Sequence, residues 1–241
     1  MAALSATLEV STSRAIAGPT SRGCDYHRAI ARALMAGDTI ISFNYDCVMD
    51  HALRAECAGA WEARIGYGFS AATTISGAGY WSPADPLSIP SQTIRLLKLH
   101  GSLNWRREPG RNPALHLKQR LHEQNGTPRF HIVPPEWNKS IRDDPILAPL
   151  WRSAFEAIQK AETIAVVGFS FAPTDLHAES LFRRGLEEAK LKTVVIANPS
   201  AEDRARIRAV FAPALSRGRG VTREYDSLQE MASAWPACID E

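Results

Sequence analysis

Four short apolar runs in this chain stop abruptly at polar residues or glycine, and that repeated ending constrains the fold more than any other feature. Thr39 to Phe43 runs into Asn44-Tyr45-Asp46, and Ile94 to Leu99 into His100-Gly101-Ser102. Thr163 to Val167 runs into Gly168-Phe169-Ser170, and Thr193 to Ala197 into Asn198-Pro199. Runs of this length, rich in Ile, Leu and Val, read as buried strands. Helical periodicities lie between them, and strands alternating with helices imply βαβ units and a mainly parallel sheet. In open sheets of that kind, ligands collect beyond the carboxyl ends of the strands, where loops diverge and helix N-termini point inward. One site is therefore expected to gather all four strand ends.

The intervening segments fit this plan. Tyr26, Ile30, Ala33 and Leu34 recur at helical spacing after Asp25, with Gly37 as a stop before the first strand. After Asp46 the chain reads helical to about Ala60, with Met49, Leu53 and Cys57 on one side. Leu150, Trp151, Ala154, Phe155 and Ile158 predict another helix. A further one starts at Pro173-Thr174-Asp175, with Thr174 as N-cap and Asp175 complementing the dipole. Ser200 with Asp203 resembles a capping box ahead of Ile207, Val210 and Phe211, and Asp226 with Gln229 repeats the device.

Other stretches read differently. Leu4, Ala6, Leu8 and Val10 alternate as one edge strand would. Residues 66–90 are rich in Gly, Ser, Thr and Pro; Pro83 and Pro86 oppose the helix that a phosphate loop at Gly77-Ala78-Gly79 would need, so a plain loop is expected. Residues 106–145 read as a loop-rich insertion, a lid or small subdomain with a short strand at Phe130 to Val133. The expected organisation is a single Rossmann-type domain over 1–241 carrying that insertion.

Composition narrows the function classes. A net charge of +2 does not indicate nucleic acid, and Arg106, Arg107 and Arg111 read as solvated loop charge. Cys24, Cys47, Cys57 and Cys238 form no C-x-x-C pair, which supports neither a zinc ribbon nor a disulfide framework. His116, His122 and His131 lack regular metal-ligand spacing, while His177, one turn into its helix, could face the strand ends. No run is long enough to span a bilayer, and the start lacks the pattern of a secretory signal. A soluble cytoplasmic protein with reduced thiols, no metal and no membrane partner is expected.

At its strand ends the sequence resembles the sirtuin-like family, the silent-information-regulator proteins and their prokaryotic relatives. Ser42-Phe43-Asn44-Tyr45-Asp46 is similar to the family's Asn-x-Asp motif, and Lys98-Leu99-His100-Gly101-Ser102 to its His-Gly motif. Gly168-Phe169-Ser170 is similar to the Gly-x-Ser motif, and Ile196-Ala197-Asn198 to the nucleotide-contacting asparagine. The wording of Leu99 to Trp105, with Val133-Pro134-Pro135 and Phe169 to Asp175, is closest to bacterial sirtuin-like proteins, often NAD-consuming effectors of antiphage defence. The match runs from about Asp25 to Phe211. It implies a three-layer, Rossmann-like, mainly parallel α/β fold. No cysteine lies between His100 and Gly168, so the four-cysteine zinc module of the deacetylases has no counterpart there. No Gly-Ala-Gly-x-Ser stretch precedes Asn44 either. The chain thus reads as a member lacking its opening strand and phosphate loop, through a late start codon, the choice of ends or degeneration; Leu4 to Val10 could substitute without the glycines.

What the resemblance implies chemically is cleavage of the nicotinamide-ribose bond of NAD through an oxocarbenium-like transition state. Asn44 would hold the ribose and the attacking water, His100 would act as general base, and Asp46 would orient the nicotinamide end. An unperturbed histidine titrates near physiological pH, which suits a base. Gly101 belongs to the cofactor-binding set with Gly168, which permits close backbone approach. Ser170 offers a hydroxyl to phosphate or ribose, and Asn198 would bind the adenosine ribose. The implied protein is an NAD glycohydrolase yielding nicotinamide and ADP-ribose, with NAD as substrate and activity dependent on a homo-oligomer or a partner subunit. Two alternatives stand beside it: a non-catalytic module binding NAD, ADP-ribose or a partner, and a zinc-independent protein deacylase. Each residue also has a plain structural reading: Asn44, Asp46 and Asn198 as turn formers, Gly168 and Ser170 as a strand stop, His100 as a bonded turn residue.

Overall fold

In a computed structural model, residues 24–77, 93–107, 114–117, 130–133, 143–171 and 175–235 are described. The fold is mixed α/β with parallel-rich sheets, and the chain divides into two compact units, Met1–Ser153 and Ala154–Glu241.

The first unit opens with α1 (Asp25–Ala33), which leads through a turn to β1 (Thr39–Ser42) and then α2 (Val48–Glu56). Gly37, in that turn, has φ +105°. Arg28 and Arg32 on α1 both reach Glu56 at the end of α2, and the Cys57 thiol donates to the Ala31 carbonyl at 3.1 Å. A single turn, α3 (Ala63–Gly66), precedes β2 (Thr74–Gly77). Next come β3 (Arg95–Lys98), β4 (Gly101–Arg107), β5 (Ala114–Leu117) and β6 (Phe130–Ile132). Strand β3 pairs only with β1, in parallel, among the described residues. The others form a mixed sheet in the order β2-β5-β4-β6, with β2 and β5 parallel and β4 antiparallel to both neighbours.

The stretches expected to be loops therefore contribute strands. Thr74-Ile75-Ser76-Gly77 is β2, inside the segment read as plain loop, and Ala114 to Leu117 is β5, inside the expected insertion. Both runs are short. β5 pairs with both β2 and β4, and of its residues Leu115 and Leu117 are buried, so its partners in space define it rather than a local pattern. Gly77 lies in β2, while Ala78, Gly79 and the Leu4–Val10 segment fall outside the described residues.

The core of this unit is built on β3 and β4. Ile94, Leu96, Leu97, Leu99, Leu103 and Trp105 are all buried, with Leu53 of α2 and Tyr67. Tyr67 meets Trp105 edge-on at 5.2 Å and Trp61 at 5.5 Å, and Phe69 meets Trp105 at 4.7 Å. Each such side chain stabilises the fold by roughly 1.5–3 kcal/mol through removal from water.

The helix α4 (Leu147–Lys160) leads to β7 (Thr163–Val167), α5 (Leu176–Gly185), β8 (Thr193–Ala197), α6 (Ala201–Gly218), β9 (Val221–Tyr225) and α7 (Leu228–Ala234). β7, β8 and β9 form a continuous parallel ladder in that order, a regular βαβαβ unit. Every residue of β8 is buried, as the Val-Val-Ile run requires of a central strand. Phe171, Phe182 and Phe211 pack edge-to-face on one another, with ring centroids 5.0 to 6.0 Å apart.

Caps refine the helix starts. Asp175, rather than Thr174, caps α5: its carboxylate accepts from the Ala178 amide, and Thr174 lies outside the described residues. Ser200 caps α6 through the Asp203 amide, as the capping-box pattern implies, although the Asp203 carboxylate binds Arg206. At α7 the box is shifted by one residue. Ser227 accepts from the Glu230 amide and Glu230 reaches back to the Asp226 amide, so the partners are Ser227 and Glu230, not Asp226 and Gln229. No described helix is long and apolar enough to cross a membrane.

Candidate functional site

The register of β1 against β3 pairs Ser42 with Lys98. Beyond that pair, Phe43 and Tyr45, the residues on either side of Asn44, both have ring contacts with His100. The ladder extends past its last full pair, since the Leu99 amide donates to the Ser42 carbonyl at 2.9 Å. Beyond it β3 turns through Leu99-His100 into β4, and the turn depends on Gly101, at φ +82°. A Cβ there would sit 2.0 Å from the His131 carbonyl oxygen on β6. Gly101 is thus required by close strand approach, whatever else it contributes.

Aromatic rings enclose His100, which is 6 % exposed. Phe43 stands edge-on to the imidazole at 5.2 Å, Tyr45 lies at 6.3 Å and Trp151 at 6.4 Å. The Trp151 indole donates to the Leu99 carbonyl at 2.9 Å, and the Val133 amide donates to the His100 carbonyl at the same distance. Tyr45 closes the ring, its hydroxyl donating to the Val133 carbonyl at 2.6 Å.

The Asn44-Tyr45-Asp46 loop combines exposure with tight anchoring. Asn44 is exposed, and its amide donates to Ser42 Oγ at 3.2 Å. The Asp46 carboxylate accepts from the Val48 amide at 2.9 Å, an Asx turn that starts α2. From the other side β4 grips the loop: the Leu103 amide donates to the Tyr45 carbonyl at 3.0 Å, with Ser102 Oγ 3.4 Å away.

Beneath the loop lies a buried polar chain that the strand-end pattern alone does not reveal. Lys98 and Asp50 are each about 1 % exposed, with Nζ 3.2 Å from Oδ2, and Lys98 also donates to the Asp46 carbonyl. Asp50 accepts from the Tyr67 hydroxyl, which accepts from Asn104 Nδ2 at 3.1 Å. Burial pulls the Lys98 ammonium toward neutrality, but its acidic surroundings, Asp50 first and then Cys47 and Asp46, together outweigh it and hold the lysine above its ordinary range. Burial, with Asp50 nearby, drives the Tyr67 phenol well upward, and burial pushes the Cys47 thiol up to about 12. Cys47 is therefore protonated and unreactive at neutral pH. The sequence signal was a lysine inside Leu96-Leu97-Lys98-Leu99 and an aspartate on the apolar side of α2.

The second unit holds the remaining candidates. Gly168 follows β7 at φ +62°, its amide donating to the Ala197 carbonyl at 2.9 Å, with open space where a Cβ would be. Ser170 sits between this glycine and Phe171, whose φ of +49° is held by burial among Phe169, Phe182 and Phe211. The Ser170 carbonyl accepts from Arg206 at 3.1 Å. Asn198 is buried, and its Oδ1 accepts from the Ser200 amide at 2.9 Å while its carbonyl accepts from Arg204 at 2.6 Å. Asn44, Asp46, His100 and Gly101 thus cluster in the first unit, and Gly168, Ser170 and Asn198 in the second.

Of the other histidines singled out in the sequence, His122 lies outside the described residues. His116 Nδ1 bonds Ser76 Oγ at 2.8 Å; His131 Nε2 lies 3.3 Å from Asp144 Oδ1, an ion-pair distance without hydrogen-bond alignment; His177 is exposed on the first turn of α5. Among the described residues no three His, Cys, Asp or Glu side chains converge as metal ligands. Compared with known proteins, the chain matches no family model and no curated sequence.

Proposed function

We propose that the chain is an NAD glycohydrolase whose reacting groups are Asn44, Asp46 and His100. The observation that supports this reading is the packing of Phe43 and Tyr45, which flank Asn44, together with Trp151 around the His100 imidazole beyond the paired ends of β1 and β3. In the reaction, the bond between the nicotinamide nitrogen and the ribose anomeric carbon breaks, and its electron pair neutralises the pyridinium. Water adds to the cationic carbon and loses a proton, giving nicotinamide, ADP-ribose and H⁺. His100 takes that proton, Asn44 orients the water and ribose, and the Asp46 carboxylate offsets the developing positive charge. Aromatic faces favour a cation in the same place and keep bulk water away. Gly168, Ser170 and Asn198 are the residues proposed for the nucleotide's phosphate and adenosine ribose. NAD is the substrate, and cytoplasmic action as a defence effector, as a homo-oligomer or with a partner subunit, follows from the resemblance.

The test is NAD consumption by the purified chain, with nicotinamide and ADP-ribose quantified. His100→Ala is expected to lower kcat by about a hundred- to ten-thousand-fold. Equal turnover by the variant and the parent would reject His100 as the base.

A further inference from the structure

We infer that Lys98 is a positioning residue for this reaction, clamping the Asn44-Tyr45-Asp46 loop from below; this rests on the proposed NAD cleavage. The lysine stands on β3 two residues before His100, and its ammonium donates to the carbonyl of Asp46, in the loop after β1. One side chain thus fixes the loop that carries Asn44 and Asp46 to the strand that carries His100. Its counter-charge, Asp50, comes from α2, the helix that the same loop begins, and Tyr67 and Asn104 extend the chain of contacts to β4.

A structural role alone explains this arrangement poorly. Buried ion pairs are often matched or bettered in stability by apolar residues of the same volume, because desolvation offsets most of the attraction. Buried leucines flank Lys98 along the chain, Leu96 and Leu97 on its strand and Leu99 in the turn after it. What an apolar residue cannot do is hold a backbone carbonyl. With β4 bonding the Tyr45 carbonyl through Leu103, two consecutive loop carbonyls are fixed from beneath while Asn44 stays exposed above. A loop that must present an amide and a carboxylate to a sugar within a fraction of an ångström needs such a hold.

The experiment replaces both charges together, in Lys98→Met/Asp50→Leu, so that no lone buried charge remains. Two readouts are taken on the full chain: steady-state NAD turnover, and amide hydrogen exchange at Leu103 and Val48, whose N–H groups bond the loop at Tyr45 and Asp46. The expected result is a folded variant with kcat lowered about tenfold to a hundredfold and KM nearly unchanged. Exchange at those two amides rises at least about tenfold while the Leu96 and Leu97 amides stay protected. A folded variant with parental kcat and parental exchange overturns the clamp. If the double variant does not fold, Lys98→Met/Asp50→Asn removes the ammonium while keeping an acceptor for the Tyr67 hydroxyl, and unchanged exchange at Leu103 and Val48 overturns the clamp in its place. Failure of the parent chain to cleave NAD would reject the glycohydrolase reading alone, since exchange at these amides still decides whether Lys98 holds the loop.

Discussion

The two units treat the ends of their parallel strands in opposite ways. In the second, β7, β8 and β9 run in unbroken register, and the polar residues that follow satisfy nearby backbone: Asn198 accepts from Ser200, Ser200 from Asp203 and Ser227 from Glu230. In the first, β1 and β3 pair in parallel apart from the mixed sheet that holds the β2/β5 pair, and the loop beyond β1 is fixed by partners far along the chain. Lys98 is 52 residues from Asp46, and Tyr45 is 88 from Val133. Local capping builds a strand end that is stable by itself. Long-range clamping builds one whose geometry depends on a buried charge pair, and that dependence is expected where several side chains must be held for chemistry rather than for folding.

Lysine pairs give the widest contrast. Lys98→Met alone leaves Asp50 buried without its counter-charge and is expected to cost about 3–5 kcal/mol in urea unfolding. Lys192→Met in the second unit removes an exposed pair with Glu162 and should cost about 0–1 kcal/mol, less in high salt. Similar losses in the two variants would end the distinction between clamped and locally satisfied strand ends.

Motif glycines sharpen it next. Gly101→Ala combines positive φ with a clash against the His131 carbonyl, for an expected loss of about 2–4 kcal/mol. Gly168→Ala has the same sign of φ but open space around it, for about 1 kcal/mol. Thermal unfolding of both variants measures the difference, and a larger loss at Gly168 would show that backbone conformation outweighs strand approach.

A smaller effect concerns pH in the first unit. Asp144 accepts from the Ile146 and Leu147 amides at the start of α4 and lies beside His131. Burial opposes the carboxylate, but His131 and the two amides outweigh it and lower it from 3.8 to about 2. A group depressed on folding stabilises above its unfolded value and loses that contribution as pH falls through its folded value. Asp144→Asn should therefore cost about 1–2 kcal/mol at pH 6, and the gap to the parent should close between pH about 4 and about 2. A gap that stays constant over that range would show that the carboxylate acts as a neutral cap only.

Much of the second unit was legible from local pattern. Thr163 to Val167 and Thr193 to Ala197 are strands at the expected residues, and Ser200 caps the next helix, because periodicity and capping are short-range effects. β9 was not anticipated: Val221-Thr-Arg-Glu-Tyr225 carries charges typical of an edge strand and becomes one only against β8. In the first unit, β1 and the polar ends at Asn44 and His100 could be read, whereas β2 and β5 could not, since each is four residues long and defined by pairing. Among the site residues, Asn44, Asp46 and His100 stood out as polar endings. Lys98, Asp50, Tyr67 and Trp151 did not, because a lysine in an apolar run or a tryptophan in a helix has no recognisable partner until the chain folds.

By itself, then, the sequence determined where strands and helices alternate and where apolar runs give way to polar groups, since both depend on neighbours within a few residues. Tertiary structure decided which endings stand side by side, through the β1/β3 register, and which charge balances which, through the burial of Lys98 against Asp50. The physical reason is range. Hydrogen-bonded turns and caps close over two to four residues, but an ion pair excluded from water can be specified only when the surrounding core has brought distant segments into contact.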